Sequence, residues 1–249
     1  MHARFYAPDA DGPDALVSLP ADEALHLTRV LRLRTGDEVR VFNGKGSEFE
    51  AVVEGATRGG VTVRTRARRD ALVEPRIAVT LAQAVLKADK MDDVVRDAVM
   101  LGVSTVQPLV TQRSEVTAAA IERGRRRERW TRVAVSSAKQ CGRAVVPDVR
   151  APVAFDDLLS ALAGLELPSP ALLLTEPGAS DEARSIAELR LDPPANATLI
   201  VGPEGGWTPH ELEHASSSCS LVTLGQRTLR ADAAALVALS ALFAIWKEF

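Results

Sequence analysis

The sequence predicts an α/β protein in which a small β-barrel precedes a larger domain built around a mostly parallel sheet. Up to about residue 65, short β-like segments are separated by turn residues, which is typical of a barrel. After Pro75, continuous apolar segments alternate with helical patterns, which is typical of parallel strands covered by helices. The chain has 249 residues, 46% of them hydrophobic, enough for one large domain or two modest ones.

The first domain is predicted to combine short strands with one helix. Its clearest strands are 37–42, 48–53 and 60–63. Residues 22–33 carry apolar residues at helical spacing, which predicts the helix. Residues 65–75 are charged and irregular and end in Glu74-Pro75. We therefore expect a β-barrel domain over residues 1–72 and a second domain over residues 73–249.

The second domain begins with a predicted strand and an amphipathic helix. Apolar residues from Met91 to Leu101 form one helix face, and Gly102 is its predicted end. The predicted strands are 77–82, 103–110, 171–175, 198–201 and 221–224. The segment from Ala233 to Trp246 is apolar almost all round, so we expect it to be buried on most sides, in the core or at a subunit interface.

Composition excludes several classes of protein. Two cysteines are too few for a disulfide framework, and the N-terminus lacks the pattern of a secretory signal. The longest apolar stretch is shorter than the about 20 residues that span a bilayer. Only His210 and His214 form a helical histidine pair, without a third clustered ligand, so we expect no metal. These observations predict a soluble, cytoplasmic protein without a membrane partner.

Charge is divided unevenly along the chain. The net charge of −3 splits into +5 for residues 1–150 and −8 for residues 151–249. Such asymmetry favours a polyanionic partner such as a nucleic acid, although a solvated basic face is a common alternative. Residues 123–129 form a basic run that we interpret as a loop or a solvated helix face.

Three turns follow three late strands, and they are the strongest candidates for a ligand site. They are Thr175–Gly178, Gly202–Gly206 and Gly225–Arg230. In open α/β sheets, ligands bind beyond the carboxyl ends of the strands, and glycine lets the backbone approach a ligand closely. A structural turn is the alternative for each of them taken singly.

The second turn leads into a helix, since Thr208 and Glu211 match a capping box. It lacks the spacing of the P-loop and of the Rossmann glycine motif. Because the Glu204 carboxylate would repel a phosphate, a ligand with ribose hydroxyls, an amino group or a sulfonium centre suits this turn better.

These turns and several other segments of the chain are similar to segments that occur together in a known protein family. The matching segments are 4–6, 26–32, 86–87, 89–91, 101–103, Pro108, 112–114, 129–130, Gln140 with Arg143, Pro147, 175–178, 201–206 and 224–230. With them, the chain resembles the bacterial small-subunit ribosomal RNA uridine-N3 methyltransferases of the SPOUT class. The resemblance covers nearly the whole chain, and its last two segments are specific only together. It implies a PUA-like RNA-binding barrel, a trefoil-knotted α/β domain that binds S-adenosylmethionine, a homodimer, and 16S ribosomal RNA of the small subunit as substrate.

The resemblance also implies roles for individual residues. The implied cofactor-binding residues are Leu174, Thr175, Glu176, Gly178, Val201, Gly202, Pro203, Glu204, Gly205, Gly206, Leu224, Gly225, Arg227, Thr228, Leu229 and Arg230. Arg230 is the first choice for stabilising negative charge on the uracil oxygens, and Asp232 or Glu204 is the candidate for assisting proton removal. The RNA-binding candidates are Arg4, His26, Arg29, Arg32, Lys87, Lys90, Arg113, Lys139 and Arg143.

Three departures from the family pattern leave alternatives open. Met100 stands in place of an acidic residue, Ser136-Ser137 replaces the segment before the family glutamine, and Asp232 replaces a glutamate. One alternative is an RNA-binding or ribosome-assembly factor that has lost catalysis. Another is an enzyme of the same fold with a different product, such as a ribose 2′-O-methyl group, or a transfer RNA target.

Overall fold

The structure is a computed structural model that describes residues 2–57, 60–164, 169–189 and 192–248. It divides into two compact units. The first comprises Met1–Glu74 with Val135–Val146, and the second comprises Pro75–Ala134 with Pro147–Phe249. The sequence analysis placed residues 135–146 in the second domain, but they group with the first unit. Gly44 pairs with Val145 there, a contact across about a hundred residues of chain.

The first unit is built on a five-stranded sheet in the order β1-β3-β4-β5-β2. Its elements are β1 (Arg4–Tyr6), β2 (Leu16–Ser18), α1 (Ala21–Leu25), a π-helical turn (His26–Val30), β3 (Glu38–Phe42), β4 (Glu48–Thr57) and β5 (Gly60–Arg69). Strands β1 and β3 are parallel and the other pairs are antiparallel. Phe5, Val41 and Phe49 lie in its core, because alternate residues of each strand face inward.

Strand β5 is longer than the sequence predicts. Residues 65–69 were expected to be irregular, but β5 continues to Arg69 opposite Glu48 of β4. Two cross-strand ion pairs accompany this extension, Arg64 with Glu54 at 2.5 Å and Arg69 with Glu50. Opposite charges on facing strand positions stabilise the pairing, so the charged composition is that of a solvated strand rather than of a loop.

The predicted helix at 22–33 is shorter and differently wound. The backbone N–H of Leu31 bonds to the carbonyl of His26, the i→i+5 pattern of a π-turn, and the helix ends there. This widened turn breaks the 3.6-residue period, so the predicted apolar face is not a buried face. Leu27 is fully buried, whereas Leu25, Val30 and Leu31 are 51%, 66% and 41% exposed.

The second unit contains a parallel sheet in the order β11-β13-β10-β12-β6-β7-β8, with β9 also paired to β7. Its strands are β6 (Ala78–Ala84), β7 (Thr105–Val110), β8 (Asp148–Val149), β9 (Val153–Ala154), β10 (Ala171–Leu174), β11 (Arg184–Ser185), β12 (Asn196–Val201) and β13 (Ser220–Thr223). Its helices are α2 (Lys90–Leu101), α3 (Ala118–Arg123), α4 (Arg126–Cys141), α5 (Phe155–Ala163), α6 (Pro209–Ser216) and α7 (Ala231–Ile245), with a 3₁₀ turn at Ile186–Glu188. The part of α4 from Val135 onward belongs to the first unit.

The strand order explains why three distant turns meet. Strands β13, β10 and β12 are neighbours, and all their pairings are parallel. Parallel neighbours end at the same edge of a sheet, so the turns that follow these three strands share one edge. Leu173, Ile200 and Leu221 pack in one core cluster below them. The trefoil knot that the resemblance implies stays a prediction.

Helix α2 ends where the sequence predicts. Gly102 adopts φ 108°, a left-handed conformation that glycine accepts without strain. A Cβ at Gly102 would lie 2.5 Å from the Pro75 ring, so this position requires glycine for space as well. The basic run at 123–129, in contrast, is not a loop, since α3 ends at Arg123 and α4 begins at Arg126.

Helix α7 is buried on one side only. Ala235, Leu239 and Phe243 are buried, whereas Leu236 and Val237 are 37% and 43% exposed. With Ala233 and Ala244, which are also exposed, these residues repeat at helical spacing. The apolar sequence therefore provides a core face and a second, solvent-facing apolar stripe. Among the described helices, none is long and apolar enough to cross a membrane.

Candidate active site

The three turns predicted from the sequence line one cavity of about 310 Å³. Its walls are formed by Lys90, Leu174, Thr175, Glu176, Pro177, Val201, Gly202, Pro203, Glu204, Gly206, Trp207, Thr223, Leu224, Arg227, Thr228, Leu229, Arg230, Ala231 and Ala234. The prediction that these turns meet is therefore confirmed as a placement, while the ligand-binding role of each residue stays a prediction. This volume lies at the lower end of the range typical of small-molecule sites.

Two glycines of the second turn are needed for close packing. A Cβ at Gly202 would lie 3.0 Å from the ring of Trp207, and one at Gly206 would lie 2.8 Å from the carboxylate of Glu176. Gly206 also has φ 66°. The indole of Trp207 is held by a 2.9 Å hydrogen bond to the Leu174 carbonyl and by Phe155, 4.7 Å away between ring centroids. The glycines thus allow a rigid wall to form directly beside the turn.

The predicted capping box begins helix α6. The Thr208 hydroxyl accepts from the Glu211 backbone N–H at 3.2 Å, and the Glu211 carboxylate accepts from the Thr208 N–H at 2.9 Å. Glu211 is buried and also accepts from the backbone N–H of Gln112 at 2.9 Å. This carboxylate therefore fixes the end of the glycine turn to the loop after β7.

Glu204 is held as a carboxylate. One of its oxygens accepts from the Lys87 backbone N–H at 3.1 Å and from Lys90 Nζ at 3.3 Å. Partial burial on its own would raise the pKa of Glu204, but hydrogen bonds from its own backbone N–H, from Lys87 and from Lys90 outweigh it and lower the pKa below 4.5. Glu204 is therefore a weak proton acceptor at neutral pH.

Arg230 and Asp232 form a forked ion pair at the start of α7. Arg230 Nη2 and Nε lie 3.0 and 3.2 Å from the two carboxylate oxygens of Asp232. Desolvation opposes the shift, but the hydrogen bond from Arg230, the backbone N–H of Asp232 and the charges of Arg230 and Lys90 lower the pKa of Asp232 below 3.8. The Arg230 side chain is 71% exposed, so its remaining donors are open to a ligand.

The cavity includes residues that sequence reasoning missed. Trp207 directly follows the glycine turn and was not predicted to line the site, although an aromatic residue beside a candidate ligand-binding turn could have indicated it. Lys90 was assigned to RNA, but it lines this cavity and pairs with Glu204, 114 positions away, so no local pattern could show it. The predicted cofactor residues Gly178, Gly205 and Gly225 lie outside the cavity lining.

Three of the predicted RNA-binding cations are used inside the first unit. Arg4 pairs with Glu48 at 2.9 Å, Lys139 pairs with Glu23 at 2.7 Å, and Arg143 pairs with Glu74 at 2.5 Å. The three side chains are only 12%, 18% and 4% exposed. The structure thus places all three cations in ion pairs, and their contact with RNA stays a prediction.

Arg4 also completes the end of helix α4. Its guanidinium donates to the carbonyls of Ala138 at 2.9 Å and Arg143 at 2.8 Å and lies 3.9 Å from the centre of the Phe42 ring. The Ala138 carbonyl also accepts from the Gly142 N–H at 3.1 Å, so Arg4 ties strand β1 to the end of α4 and to the residues that follow it.

We expect Arg4→Met to lower the free energy of unfolding by about 3–5 kcal/mol, because it leaves the buried Glu48 carboxylate unpaired. Urea unfolding of the full chain measures this. The matched control is Arg29→Met at an exposed position, which should change stability by no more than about 0.5 kcal/mol. An Arg4→Met variant with unchanged stability and weakened RNA binding would restore the original assignment.

The remaining RNA candidates are accessible but differently placed. His26 is half-buried and its Nδ1 lies 3.0 Å from Lys139 Nζ. Arg29 and Arg32 are exposed, but Arg32 lies beyond the helix with φ 56°, so the two side chains do not share a helix face despite their spacing of three residues. In the second unit, exposed Lys87 pairs with Glu115 at 2.6 Å, and Arg113 donates to the Gly205 carbonyl at 2.7 Å.

No group of three or more potential metal ligands occurs among the described residues. In the histidine pair of α6, His214 lies 3.1 Å from Asp156 instead. This arrangement is an exposed polar contact.

The lowered pKa of Glu204 predicts a pH-dependent contribution to stability. Because the folded pKa lies below the ordinary value of 4.5, the contribution is present above that value and disappears as pH falls through the folded pKa. The melting temperatures of the wild type and Glu204→Gln should therefore converge below about pH 4.5. Thermal unfolding at stepped pH tests this, with exposed Glu213→Gln as the control. A constant difference across the series would contradict the assignment.

Comparison with known proteins identifies the family. The family model for the RNA methyltransferase domain matches residues 73–243, and the family model for the RNA methyltransferase PUA domain matches residues 19–65. A curated relative from Synechocystis sp., named Ribosomal RNA small subunit methyltransferase E, is 32% identical over 93% of this chain and 74% of its own length. A relative of the same name from Mycobacterium bovis is 30% identical over 95% of this chain and 89% of its own.

Solved structures agree with these matches. A methyltransferase from Legionella pneumophila in complex with S-adenosylmethionine superimposes with a TM-score of 0.87 at 30% identity, covering 98% of both chains. A Ribosomal RNA small subunit methyltransferase E from Neisseria gonorrhoeae, bound to S-adenosylmethionine, gives 0.85 at 30% identity, covering 99% of this chain and 98% of its own. The predicted α/β fold with a PUA domain is confirmed. The chain therefore belongs to the RNA methyltransferase family, with a PUA domain ahead of its methyltransferase domain.

Proposed function

We propose that this protein transfers a methyl group from S-adenosylmethionine to N3 of one uridine in the 16S RNA of the small ribosomal subunit, in the cytoplasm. The observation that carries the proposal is the single cavity formed by the turns after β10, β12 and β13. It supports a methyl-donor site because two similar chains have S-adenosylmethionine bound. The names of the curated relatives support small-subunit ribosomal RNA as the substrate.

The chemistry of the cavity fits S-adenosylmethionine. Leu174, Val201 and Leu229 provide an apolar wall for a flat base, and the glycine turn exposes backbone where a Cβ would collide with Trp207. The carboxylates of Glu176 and Glu204 lie on the same cavity. Carboxylates suit ribose hydroxyls, an amino group and a positive sulfonium, and they disfavour a phosphate.

The residues of this chain would align the methyl donor with the uridine and stabilise the negative charge that develops on the uracil oxygens. S-adenosylmethionine supplies a methyl group that its positive sulfonium has already activated. The turns around Leu174, Gly202 and Leu224 would hold it in a fixed orientation, which lowers the entropy cost of reaction. Arg230 would donate hydrogen bonds to the uracil oxygens that gain negative charge as N3 reacts.

Neither acidic candidate is a strong base. The pKa values of Glu204 and Asp232 both lie below the ordinary values of their side chains. Efficient general bases have pKa values near the working pH, so proton transfer to either carboxylate contributes little. We therefore assign removal of the N3 proton to hydroxide from the solvent, which becomes water before the methyl group is transferred, with Asp232 positioning Arg230 rather than removing the proton.

RNA would contact exposed cations of both units. Arg29 and Arg32 are the accessible candidates in the barrel over residues 1–72, and Lys87 and Arg113 are those in the domain over residues 73–249. Such contacts position RNA through its phosphates.

The apolar stripe of α7 supports a homodimer. Ala233, Leu236, Val237 and Ala244 are exposed and repeat at helical spacing. We expect the wild type to be a dimer by light scattering and Val237→Lys to shift it to monomer, because a charge in such a seam stays unpaired. The control is Arg132→Lys at an exposed site on α4. A monomeric wild type would contradict the dimer.

The proposed activity is tested on small subunits purified from cells that lack the modification. We expect incubation with the protein and S-adenosylmethionine to yield 3-methyluridine in the digested RNA. A ribose 2′-O-methyl nucleoside, or methylation of transfer RNA alone, would show another product or target. Binding to subunits with no heat on titration of S-adenosylmethionine would instead indicate an RNA-binding or assembly factor.

A further inference from the structure

A second cavity of about 290 Å³ lies beside the first. The two cavities share Pro203 and Glu204, so the glycine turn after β12 forms a wall between them. Besides small and apolar residues, the second cavity is lined by the charged side chains of Lys87, Arg113, Arg126 and Glu115. It combines the loop after β6, the loop after β7 and the start of α4.

Both cavities are lined by three cations and two carboxylates, but two cations of the first are held in ion pairs, Lys90 with Glu204 and Arg230 with Asp232. The carboxylates of the second cavity are Glu115 and Glu204. Glu204 is already compensated by Lys90, which lies 3.3 Å away and lines the first cavity. Among the described residues, Glu115 pairs with Lys87 alone, in an exposed pair that contributes little and opens readily. The second cavity therefore favours an anion, because Arg113 and Arg126 form no ion pair with the described residues.

Two arginines of the second cavity have donors available to an anion. Arg126 is half-buried, and its side chain forms no ion pair or hydrogen bond with the other described residues. The Arg113 side chain packs against Gly205, since a Cβ added at Gly205 would lie 3.2 Å from the Cβ of Arg113. One nitrogen of Arg113 donates to the Gly205 carbonyl at 2.7 Å, which orients the fork while its other donors stay available.

We propose that the second cavity binds a backbone phosphate of the RNA next to the nucleotide whose base enters the first cavity, with Arg126 and Arg113 as the phosphate ligands. This inference rests on the proposed function and adds a binding site and a positioning residue, Arg126, to it. The planar fork of arginine matches phosphate oxygens. The shared Pro203-Glu204 wall would separate the anionic backbone from the cationic methyl donor.

Binding of the full chain to fluorescein-labelled oligouridylate tests the site without requiring catalysis. Fluorescence anisotropy is measured over a series of KCl concentrations for the wild type, Arg126→Gln, Arg126→Lys and Arg132→Gln. We expect Arg126→Gln to weaken binding about tenfold at low salt. Its slope of log K against log[KCl] should be shallower by about 0.7, the value for one lost contact to a single strand.

The other variants and a second titration make the result decisive. Arg132→Gln, an exposed arginine of the same helix outside the cavity, should match the wild type, and Arg126→Lys should recover part of the affinity. Calorimetric titration with S-adenosylmethionine should give the same Kd for all four proteins. Weakened S-adenosylmethionine binding by Arg126→Gln would assign the cavity to the donor's carboxylate and overturn the inference.

Equal oligouridylate binding and equal salt slopes for Arg126→Gln and the wild type would also overturn it, as would the absence of wild-type binding. The proposed function fails separately, if the wild type forms no methylated nucleoside on small subunits. Thermal unfolding of each variant confirms that the compared proteins are folded.

Discussion

Arg230→Ala is expected to lower kcat for methyl transfer by about 10²–10³-fold, the loss typical of removing one donor from a developing negative charge. The affinity for S-adenosylmethionine should change little, because the turn before α7 contributes backbone to the cavity and the side chain is 71% exposed. Single-turnover methylation of small subunits measures the rate, and calorimetry measures the Kd. Loss of both together would make Arg230 a cofactor ligand rather than a catalytic residue.

Two variants separate the possible roles of this ion pair. Asp232→Asn keeps the shape of the side chain but removes the charge that orients the Arg230 fork. If Asp232 positions Arg230, this variant lowers kcat less than Arg230→Ala does and leaves the pH–rate profile unchanged. If Asp232 were the base, the acidic limb of that profile would disappear.

Gly202→Ala is expected to weaken S-adenosylmethionine binding about tenfold to a hundredfold. The added Cβ would lie 3.0 Å from the indole of Trp207, a ring held by Leu174 and Phe155 that cannot move without reshaping the cavity. Calorimetry measures the Kd. Gly12→Ala, where no atom lies within 4 Å of the new Cβ, is the matched control and should leave the Kd unchanged.

A double variant tests the cause. Trp207→Leu removes the ring that the new methyl group meets, so Gly202→Ala should cost much less affinity in that background than in the wild type. Equal costs in the two backgrounds would show that the loss has another origin than this contact.

Local patterns predicted much of the second unit. The helix ending at Gly102, the capping box of Thr208 and Glu211 and the strands before the three turns were all expected from residues close together in the chain. The helix termini depend on backbone conformation and hydrogen bonds within a few positions, and the strands are visible as continuous apolar segments although their hydrogen bonds join distant parts of the chain. The continuation of β5 to Arg69 was not expected, because its ion pairs come from the neighbouring strand.

The functional candidates also divide into those that local sequence predicts and those that depend on contacts between distant residues. Sequence placed the three turns correctly at one sheet edge, since parallel strands end together. It did not show the ion pairs of Arg4, Lys139 and Arg143, because a cation that binds RNA and one that pairs with a carboxylate have the same residue type. It also assigned Lys90 to RNA, whereas the side chain lies against Glu204 in the first cavity.

The family of this protein and the turns that line its first cavity were already present in the linear order of its residues. That order also indicated, through local apolar periodicity and capping residues, the elements β6, β7, β10, β12, β13, α2, α6 and α7. Which charges remain free for a ligand was decided only when distant segments packed together. An ion pair such as Arg4 with Glu48 or Lys90 with Glu204 depends on a distance of a few ångströms across many intervening residues, and folding alone sets that distance.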